Sequence, residues 1–578
     1  MNGRRWILFA HLGIIVFLTL LVYANSIDGK FLWDDSAFIG SNQYVKDLSR
    51  APQLFTENFG QGVGKKYLFY RPLQMLTYAF DYSLWKLDPR GYHATSIVLH
   101  ILVSMCVYWI VTLLFGDCRL SLFSAALFSV HPLHTSAVSS IAGRADPLAA
   151  VFLLAAFAIY IKNRGSWSVG RFISILALYI CALLSRESSV ILPFMILLYH
   201  FIFRSRPLKR DLSGIAALTV LYLIFRAIIS NKEILAGPFG DSTLIERLPG
   251  LFCALTGYTR LLFFPTNLHM IYGRDLFNWS NPLVISGIAI LLLLMVSAAK
   301  TIKSNALYSF GVLWFLLTLF PQSNLYPLNA YMAEHWLYIP SIGFCLILAR
   351  GVLTLFDRRK LFVLGCLCMF TLVVLYSVLT IKQNDYWSDS ETFCKRTLRY
   401  NPRSSWMYNN LGNALYAQEK KEEAIEAYLE AVELDPDFDY AYYNLATAYG
   451  GIGRDEEAVS FFKKAIDANP NYAHAYNNLG VAYIRMQNIE DAVSCYRAAI
   501  KIKPDYADAY FNLGNALFTL GSVEESVDSF KKAIEIEHNH INAYHNLATV
   551  YLRTKERGKA IEIYHKILDL EPDYPARP

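Results

Sequence analysis

The chain has 578 residues, of which 54% are apolar and only 17% charged, with a formal net charge of +6. That excludes a disordered protein and a single ordinary soluble domain. Divided after Asp385, the chain becomes two chemically different bodies: residues 1 to 385 carry 32 Lys and Arg against 18 Asp and Glu, a net +14, and residues 386 to 578 carry 21 against 29, a net −8.

In the first body, apolar runs recur at roughly 6 to 25, 94 to 115, 120 to 138, 146 to 162, 171 to 184, 189 to 204, 212 to 230, 283 to 300, 306 to 320, 335 to 353 and 361 to 381. Crossing a hydrocarbon core takes about 20 residues, so these read as about eleven spans, the first an uncleaved anchor. Cationic clusters at Arg4/Arg5, Lys162/Arg164/Arg171, Arg204/Arg206/Lys209/Arg210, Lys300/Lys303 and Arg358/Arg359/Lys360 then all fall on one side, the cytoplasmic one. Cations set between apolar runs point to membrane topology and away from nucleic acid. The same count puts the 26 to 93 loop, the stretch from His131 to Asp146, Arg186/Glu187, the 231 to 282 segment, the 321 to 334 loop and the acidic C-terminal body outside the cytoplasm. A twelfth span at 249 to 265 would invert the later clusters, so this segment is expected to be a re-entrant or interfacial helix.

Nine cysteines are scattered, mostly in apolar stretches, and lack metal-ligand spacing. Neither a zinc site nor a disulfide framework is expected. A divalent metal or other cofactor is not expected either.

In the acidic body, Pro402, Pro436, Pro470, Pro504 and Pro572 keep a 34-residue period, with His538 in the one missing slot. That period is the signature of tetratricopeptide repeats. Five units follow, 405–438, 439–472, 473–506, 507–540 and 541–574, preceded by a capping helix and linker at 386 to 404. Tyr408, Leu411, Gly412 and Leu415 make one helical face and recur in the later units. A small residue recurs at Ala424, Ala458, Ala492, Ser526 and Ala560, where two helices must approach closely. Such arrays expose a concave groove for a partner polypeptide. Asn410, Asn444, Asn478, Asn512 and Asn546 recur directly before the Leu of each unit. An amide can pair with both donor and acceptor of an extended peptide, which suggests a peptide-binding ladder; the alternative is that Asn is simply common at this place in such repeats.

Ionisable groups near a bilayer are costly, and several gather on the outer side. Asp34 and Asp35 follow Phe31, Leu32 and Trp33 directly after the first span. Adjacent carboxylates repel, which raises one pKa and keeps a base available near the membrane surface; a solvated acidic loop is the plain alternative. Arg71, His131, His134, Arg144, Asp146, Arg186, Glu187, Glu334 and His335 follow at span ends. Cations that hold a phosphate while a carboxylate takes a proton suit transfer from a lipid-linked anionic leaving group. His131 and His134 are a poor metal pair, since a proline lies between them. Arg144 with Asp146 could be only a structural ion pair.

The order of these blocks, with Tyr70-Arg71-Pro72-Leu73, Leu262 to Leu268 and Tyr338-Ile339-Pro340-Ser341 beside the repeats, resembles the transmembrane and tetratricopeptide-repeat-containing O-mannosyltransferases and their bacterial relatives. The resemblance implies an all-α chain: a polytopic GT-C-like membrane bundle followed by a repeat solenoid. It also implies a polyprenyl-phosphate sugar donor and transfer to Ser or Thr hydroxyls of a protein on the non-cytoplasmic side, with Asp34 as base and Asp35 its partner. Arg186 stands where a Lys is common in the family, and His335 where animal members have Arg. One glycosylation sequon, Asn278-Trp279-Ser280, and none in the repeats lean towards a bacterial inner membrane over the endoplasmic reticulum. The alternative function is a non-catalytic membrane-anchored scaffold for envelope or pilus assembly. A transporter is disfavoured, since the spans lack an internal repeat and the acids lie in a loop.

Overall fold

The computed structural model describes residues 2–56, 70–162, 167–229, 243–273, 276–323, 325, 328, 330–356 and 361–571. Arg164, Arg358, Arg359, Lys360 and Pro572 of the sequence reading lie outside them. Every regular element among the described residues is helical, in keeping with the expected all-α class. The chain forms two compact units, Met1–Asn401 and Pro402–Pro578.

In the first unit, six helices are long and apolar enough to cross a membrane: Arg5–Ser26, Pro89–Phe115, Ala142–Lys162, Lys209–Ile228, Pro282–Thr301 and Phe362–Trp387. Five shorter apolar helices are Cys118–Val130, Val169–Ser185, Glu187–Phe203, Ala306–Gln322 and Ser341–Leu355. Each of the eleven apolar runs falls on one of these helices. The helix Ala142–Lys162 is the hub. Its Ala149, Ala150, Ala156 and Ala158 are almost wholly buried, because small side chains let the neighbouring helices Pro89–Phe115 and Val169–Ser185 approach closely. Pro282–Thr301 and Phe362–Trp387 instead turn large apolar side chains outward, among them Leu292, Leu293, Val363 and Phe370, as a lipid-facing helix requires. The segment at 249 to 265 belongs to one continuous helix, Leu244–Phe263, opened by a capping box between Thr243 and Glu246.

The loop after the first span folds on the helix Pro72–Trp85. Phe38, Ile39, Val45, Leu54, Met75, Tyr78, Tyr92 and Ile141 make a small core of their own. Buried amides join the first and last spans. Asn384 Nδ2 donates to Val22 O and to Asn25 Oδ1, both at 2.7 Å, while its Oδ1 accepts from Ser139 at 2.8 Å. The unit continues past Asp385 through the helix Ser390–Tyr400. Phe393 packs on Tyr386 and Trp387, and Arg396 donates to Gln383 Oε1 at 2.7 Å. Those contacts carry the compact unit to Asn401.

The second unit is five helix pairs: Ser405–Tyr416 with Lys421–Leu434, Asp439–Gly451 with Asp455–Ala468, Ala473–Arg485 with Ile489–Ile502, Ala507–Thr519 with Val523–Ile536, and Ile541–Arg553 with Arg557–Leu570. Ala424, Ala458, Ala492, Ser526 and Ala560 are fully buried. Glycine is needed where the two helices of a pair touch: a Cβ on Gly412 would lie 2.4 Å from the Tyr428 ring, and one on Gly480 2.6 Å from the Tyr496 ring. The last three residues of the fifth predicted unit lie outside the described residues.

Candidate active site

The aspartate doublet sits on a bent backbone. Trp33 takes a left-handed conformation, φ 38°, which a bulky residue adopts only at a cost of about 1 to 3 kcal/mol and which marks a place where the surroundings over-determine the chain. Its ring packs against Phe393. Beyond the bend the two carboxylates part company: Asp34 is half-buried, and Asp35 is 2% exposed. Asp35 Oδ2 accepts the Leu32 N–H at 2.9 Å, closing a tight turn. Burial pushes the Asp35 carboxyl up to about 7, and the charge of Asp34 adds to the rise; the Leu32 and Ala142 N–H groups and the Arg144 charge oppose it. One acid of the doublet is therefore reachable and the other titrates beside it near neutrality.

A second set of charges gathers from five distant places in the sequence. Arg71, just before the helix Pro72–Trp85, donates Nε and Nη2 to Glu187 Oε2, both at 3.1 Å. Arg186 Nη1 meets Asp146 Oδ2 at 2.5 Å. Arg226 Nη2 lies 3.8 Å from the other oxygen of Glu187. His335 completes the set from the 3-10 helix Glu334–Leu337; burial holds its imidazole well below the ordinary range, and the Arg186 and Arg71 charges push the same way. Three guanidinium groups thus share two carboxylates, leaving the set net positive, with side chains of Arg71, Glu187 and Arg226 still partly exposed. An excess cation in a partly dry site suits a phosphate. Asp146 and Arg144 open the same helix, and Arg144 acts on Asp35, so both acid and cation sets lie at one end of the bundle.

Other residues expected here have different work. Arg144 is fully buried. It pairs with Asp81 at 2.6 Å, donates to Tyr92 O at 2.7 Å and to Ser96 and Thr77 at 3.3 Å, and lies over the Tyr78 ring. The structural pair suggested with Asp146 is corrected: Arg144 takes Asp81, and Asp146 takes Arg186. His131 and His134 are also wholly buried. His131 Nε2 donates to Leu262 O at 3.2 Å and its Nδ1 accepts the Leu133 N–H, while His134 lies 2.8 Å from Phe128 O and 3.0 Å from Ser341 Oγ. Each imidazole is engaged at both nitrogens in tying helix ends together. Among the described residues, no three His, Cys, Asp or Glu are grouped to hold a metal ion.

Glu334 faces away from His335. Its Oε1 accepts the His269 N–H at 2.5 Å and the Tyr272 hydroxyl at 2.6 Å, and the side chain is 3% exposed. Burial pushes its carboxyl up to about 8, against the pull of Tyr272, the His269 N–H and the Arg396 charge. The fold therefore favours the protonated acid, and stability present below pH 4.5, the ordinary value, is lost as the pH rises to about 8. Glu334→Gln keeps an accepting oxygen without the charge. It is expected to melt like the wild type at pH 5 and to be more stable at pH 9, by up to about 4 kcal/mol, in paired thermal melts.

In the repeats, four of the recurring asparagines each donate to a residue of the preceding repeat. Asn444 Nδ2 donates to Asn409 Oδ1 at 2.8 Å, Asn478 to Tyr443 Oη at 2.9 Å, Asn512 to Asn477 Oδ1 at 3.0 Å and Asn546 to Asn515 Oδ1 at 2.7 Å. Asn410, in the first repeat, has its buried Nδ2 without a hydrogen-bond partner among the described residues.

Asp81, Arg226 and Tyr272 were not singled out in the sequence. Arg226 had a signal, a lone cation inside the apolar run 212 to 230. Asp81 and Tyr272 had none, since only tertiary pairing gives them a role.

Comparison with known proteins follows this geometry. Family models described as "TPR repeat" match residues 412–453, 482–521 and 514–555, and models described as "Tetratricopeptide repeat" match 439–472, 541–574 and 461–494. The second unit is a tetratricopeptide-repeat array. Protein O-mannosyl-transferase TMTC3 of Mus musculus is 26% identical over 476 residues, 74% of this chain and 51% of that protein. Protein O-mannosyl-transferase TMTC1 of Homo sapiens is 27% identical over 480 residues, 72% of this chain and 54% of that protein. Over most of its length the chain is similar to protein O-mannosyl-transferases. It spans about half the length of these curated relatives. Among solved structures, YrrB, a TPR protein with an unusual peptide-binding site, is 25% identical over 31% of this chain and 93% of its own, with a TM-score of 0.28.

Proposed function

We propose that the protein is a membrane glycosyltransferase of the GT-C type. It moves a sugar, mannose by analogy with the named activity of its relatives, from a polyprenyl-phosphate donor to Ser or Thr hydroxyls of an acceptor polypeptide. The observation that carries the reading is a half-exposed aspartate beside a buried one, at the same end of an apolar bundle as a net-positive set of arginines. Asp34 takes the proton of the acceptor hydroxyl as its oxygen attacks the anomeric carbon. The bond from that carbon to the phosphate oxygen breaks with its electron pair, and the configuration inverts. The anionic phosphate that departs is met by Arg71, Arg186 and Arg226, whose charge the two nearby carboxylates only partly offset. Desolvation at the outer end of the bundle strengthens each of these interactions. The repeats hold the acceptor, which raises its effective concentration.

The test is reconstitution. Purified protein in liposomes with polyprenyl-phosphate mannose and a Ser/Thr peptide is expected to yield a mannosylated peptide by mass spectrometry. No product from a well-folded preparation, with any polyprenyl-phosphate sugar, would refute the reading.

We further propose that the N-terminus is cytoplasmic and that both the acidic doublet and the repeats face the other side, the periplasm of a bacterial inner membrane. Cysteines at the exposed positions Ser41 and Glu430 are expected to react with an impermeant maleimide from that side, and one at exposed Lys209 only after permeabilisation. Opposite labelling of Ser41→Cys and Glu430→Cys would exclude this arrangement.

A further inference from the structure

We infer that an apolar groove between the later membrane helices holds the isoprenoid chain of the donor lipid, with the phosphate end of that lipid at the arginine set. This rests on the reading that the donor is a polyprenyl-phosphate sugar, and it names where the rest of that molecule lies. The groove has a volume of about 910 Å³, towards the upper end of the roughly 300 to 1,000 Å³ of ligand sites. Helices Ala306–Gln322, Ser341–Leu355 and Phe362–Trp387 form its walls, and Phe263, packed on Phe344 with ring centroids 5.0 Å apart, marks one end. Among the described residues its lining includes no charged side chain. From Phe344 to Leu355 it follows eleven helical residues, about 16 Å. A long uncharged slot of this kind takes hydrocarbon and excludes ions, which would lose their hydration there.

Every membrane lipid has a hydrocarbon chain, so the polar end of the groove selects among them. On the helix Ala306–Gln322 the groove is lined by Tyr308, Gly311, Val312 and Phe315, which share one face. Leu319 and Gln322, four and seven residues beyond Phe315, continue that face over about 10 Å. The turn Phe320–Gln322 rests on Glu187–Ile191, the 3-10 helix whose Glu187 holds Arg71 and Arg226. There the buried Oε1 of Gln322 has no hydrogen-bond partner among the described residues. A lipid lying in the groove therefore has its head beside excess cations and beside an oxygen that asks for a donor. A phosphate that carries a sugar, with its hydroxyls, meets both demands.

The glycines of this region point the same way. A Cβ on Gly343 would lie 2.2 Å from Gly311 O, so helix packing requires that glycine. A Cβ on Gly351, which also lines the groove, would meet nothing within 4 Å. Glycine inside a helix weakens it relative to alanine, and packing does not call for this one; room for a ligand chain does.

The experiment irradiates the full chain in liposomes with a sugar-free polyprenyl phosphate that carries a diazirine along its chain, and locates the adducts by mass spectrometry. Adducts are expected on Ser341–Leu355 and Phe362–Trp387, and are expected to be competed by unlabelled polyprenyl phosphate but not by an equal excess of phospholipid. Gly351→Leu puts a side chain into the groove without meeting the fold. It is expected to keep the melting curve and to lower labelling about tenfold, as when roughly two methylenes lose their burial. Val98→Leu, on an exposed face of Pro89–Phe115, is expected to label like the wild type. Adducts elsewhere in the bundle, equal competition by phospholipid, or undiminished labelling of folded Gly351→Leu would overturn the inference. The wild-type adducts and their competition decide the matter even where the variant fails to accumulate. Labelling needs no sugar and no acceptor, so the two readings fail separately. Sugar transfer with adducts elsewhere sinks the groove alone; a labelled groove without transfer sinks only the catalytic reading.

Discussion

Replacing Asp34 with Asn is expected to lower sugar transfer by about a thousandfold, the scale on which a positioned general base contributes, while the protein still folds and inserts. Asn keeps the size and most hydrogen-bonding capacity of the side chain but cannot take a proton. Asp34 is half-buried and Asn is isosteric with it, so the melting curve is expected to move little. Undiminished transfer by this variant would remove Asp34 from the chemistry. Asp35 is expected to act through its neighbour. Its carboxyl is pushed up to about 7 by burial, so it gains its charge as the pH rises through neutrality. That new negative charge makes Asp34 a stronger proton acceptor. Wild-type transfer should therefore step upward through about pH 7, and Asp35→Asn should flatten the step while keeping the Leu32 N–H satisfied through its amide oxygen. A profile whose step persists in Asp35→Asn would assign the titration to another group.

The sequence made some of this legible because the relevant signals are local. An apolar run declares a membrane helix within its own twenty residues, and the 34-residue recurrence of Pro436, Pro470 and Pro504 declares a repeat without knowledge of any contact. The helix Leu244–Phe263 was harder to read, since Glu246, Arg247 and Arg260 dilute its hydropathy although its length matches a span. Partnerships were not legible at all. Arg144 and Asp146 are two residues apart and invite pairing, yet a helix start aims them differently, and Arg144 reaches Asp81 while Asp146 reaches Arg186. Glu334 and His335 are adjacent and part company for the same reason, one towards Tyr272 and the other towards the arginines. The asparagine ladder was visible as a pattern. That its amide hydrogens join one repeat to the next could be known only from the stacking of helices.

The assignment of Arg144 has the largest stability consequence. Arg144→Met leaves the Asp81 carboxylate 2% exposed, with the Thr95 hydroxyl at 2.8 Å but no cation, and removal of one partner from a buried pair costs about 3 to 5 kcal/mol. The variant is expected to melt far below the wild type or to fail to accumulate. Asp81→Asn in the same chain removes the stranded charge, and Asn can still accept from Thr95, so the double variant should regain most of the loss. Such recovery is the coupling expected of two residues paired directly, as Arg144 and Asp81 are at 2.6 Å. The double variant also separates fold from chemistry. Because Arg144 is enclosed by Asp81, Tyr92, Ser96, Thr77 and Tyr78, restoring stability is expected to restore transfer as well. A folded double variant that remains inactive would return Arg144 to the phosphate-binding set in which its position at a span end first placed it. Arg71→Met gives the contrast: its pair with Glu187 is partly exposed and Arg226 stands by to hold that carboxylate, so stability should fall little while transfer falls sharply.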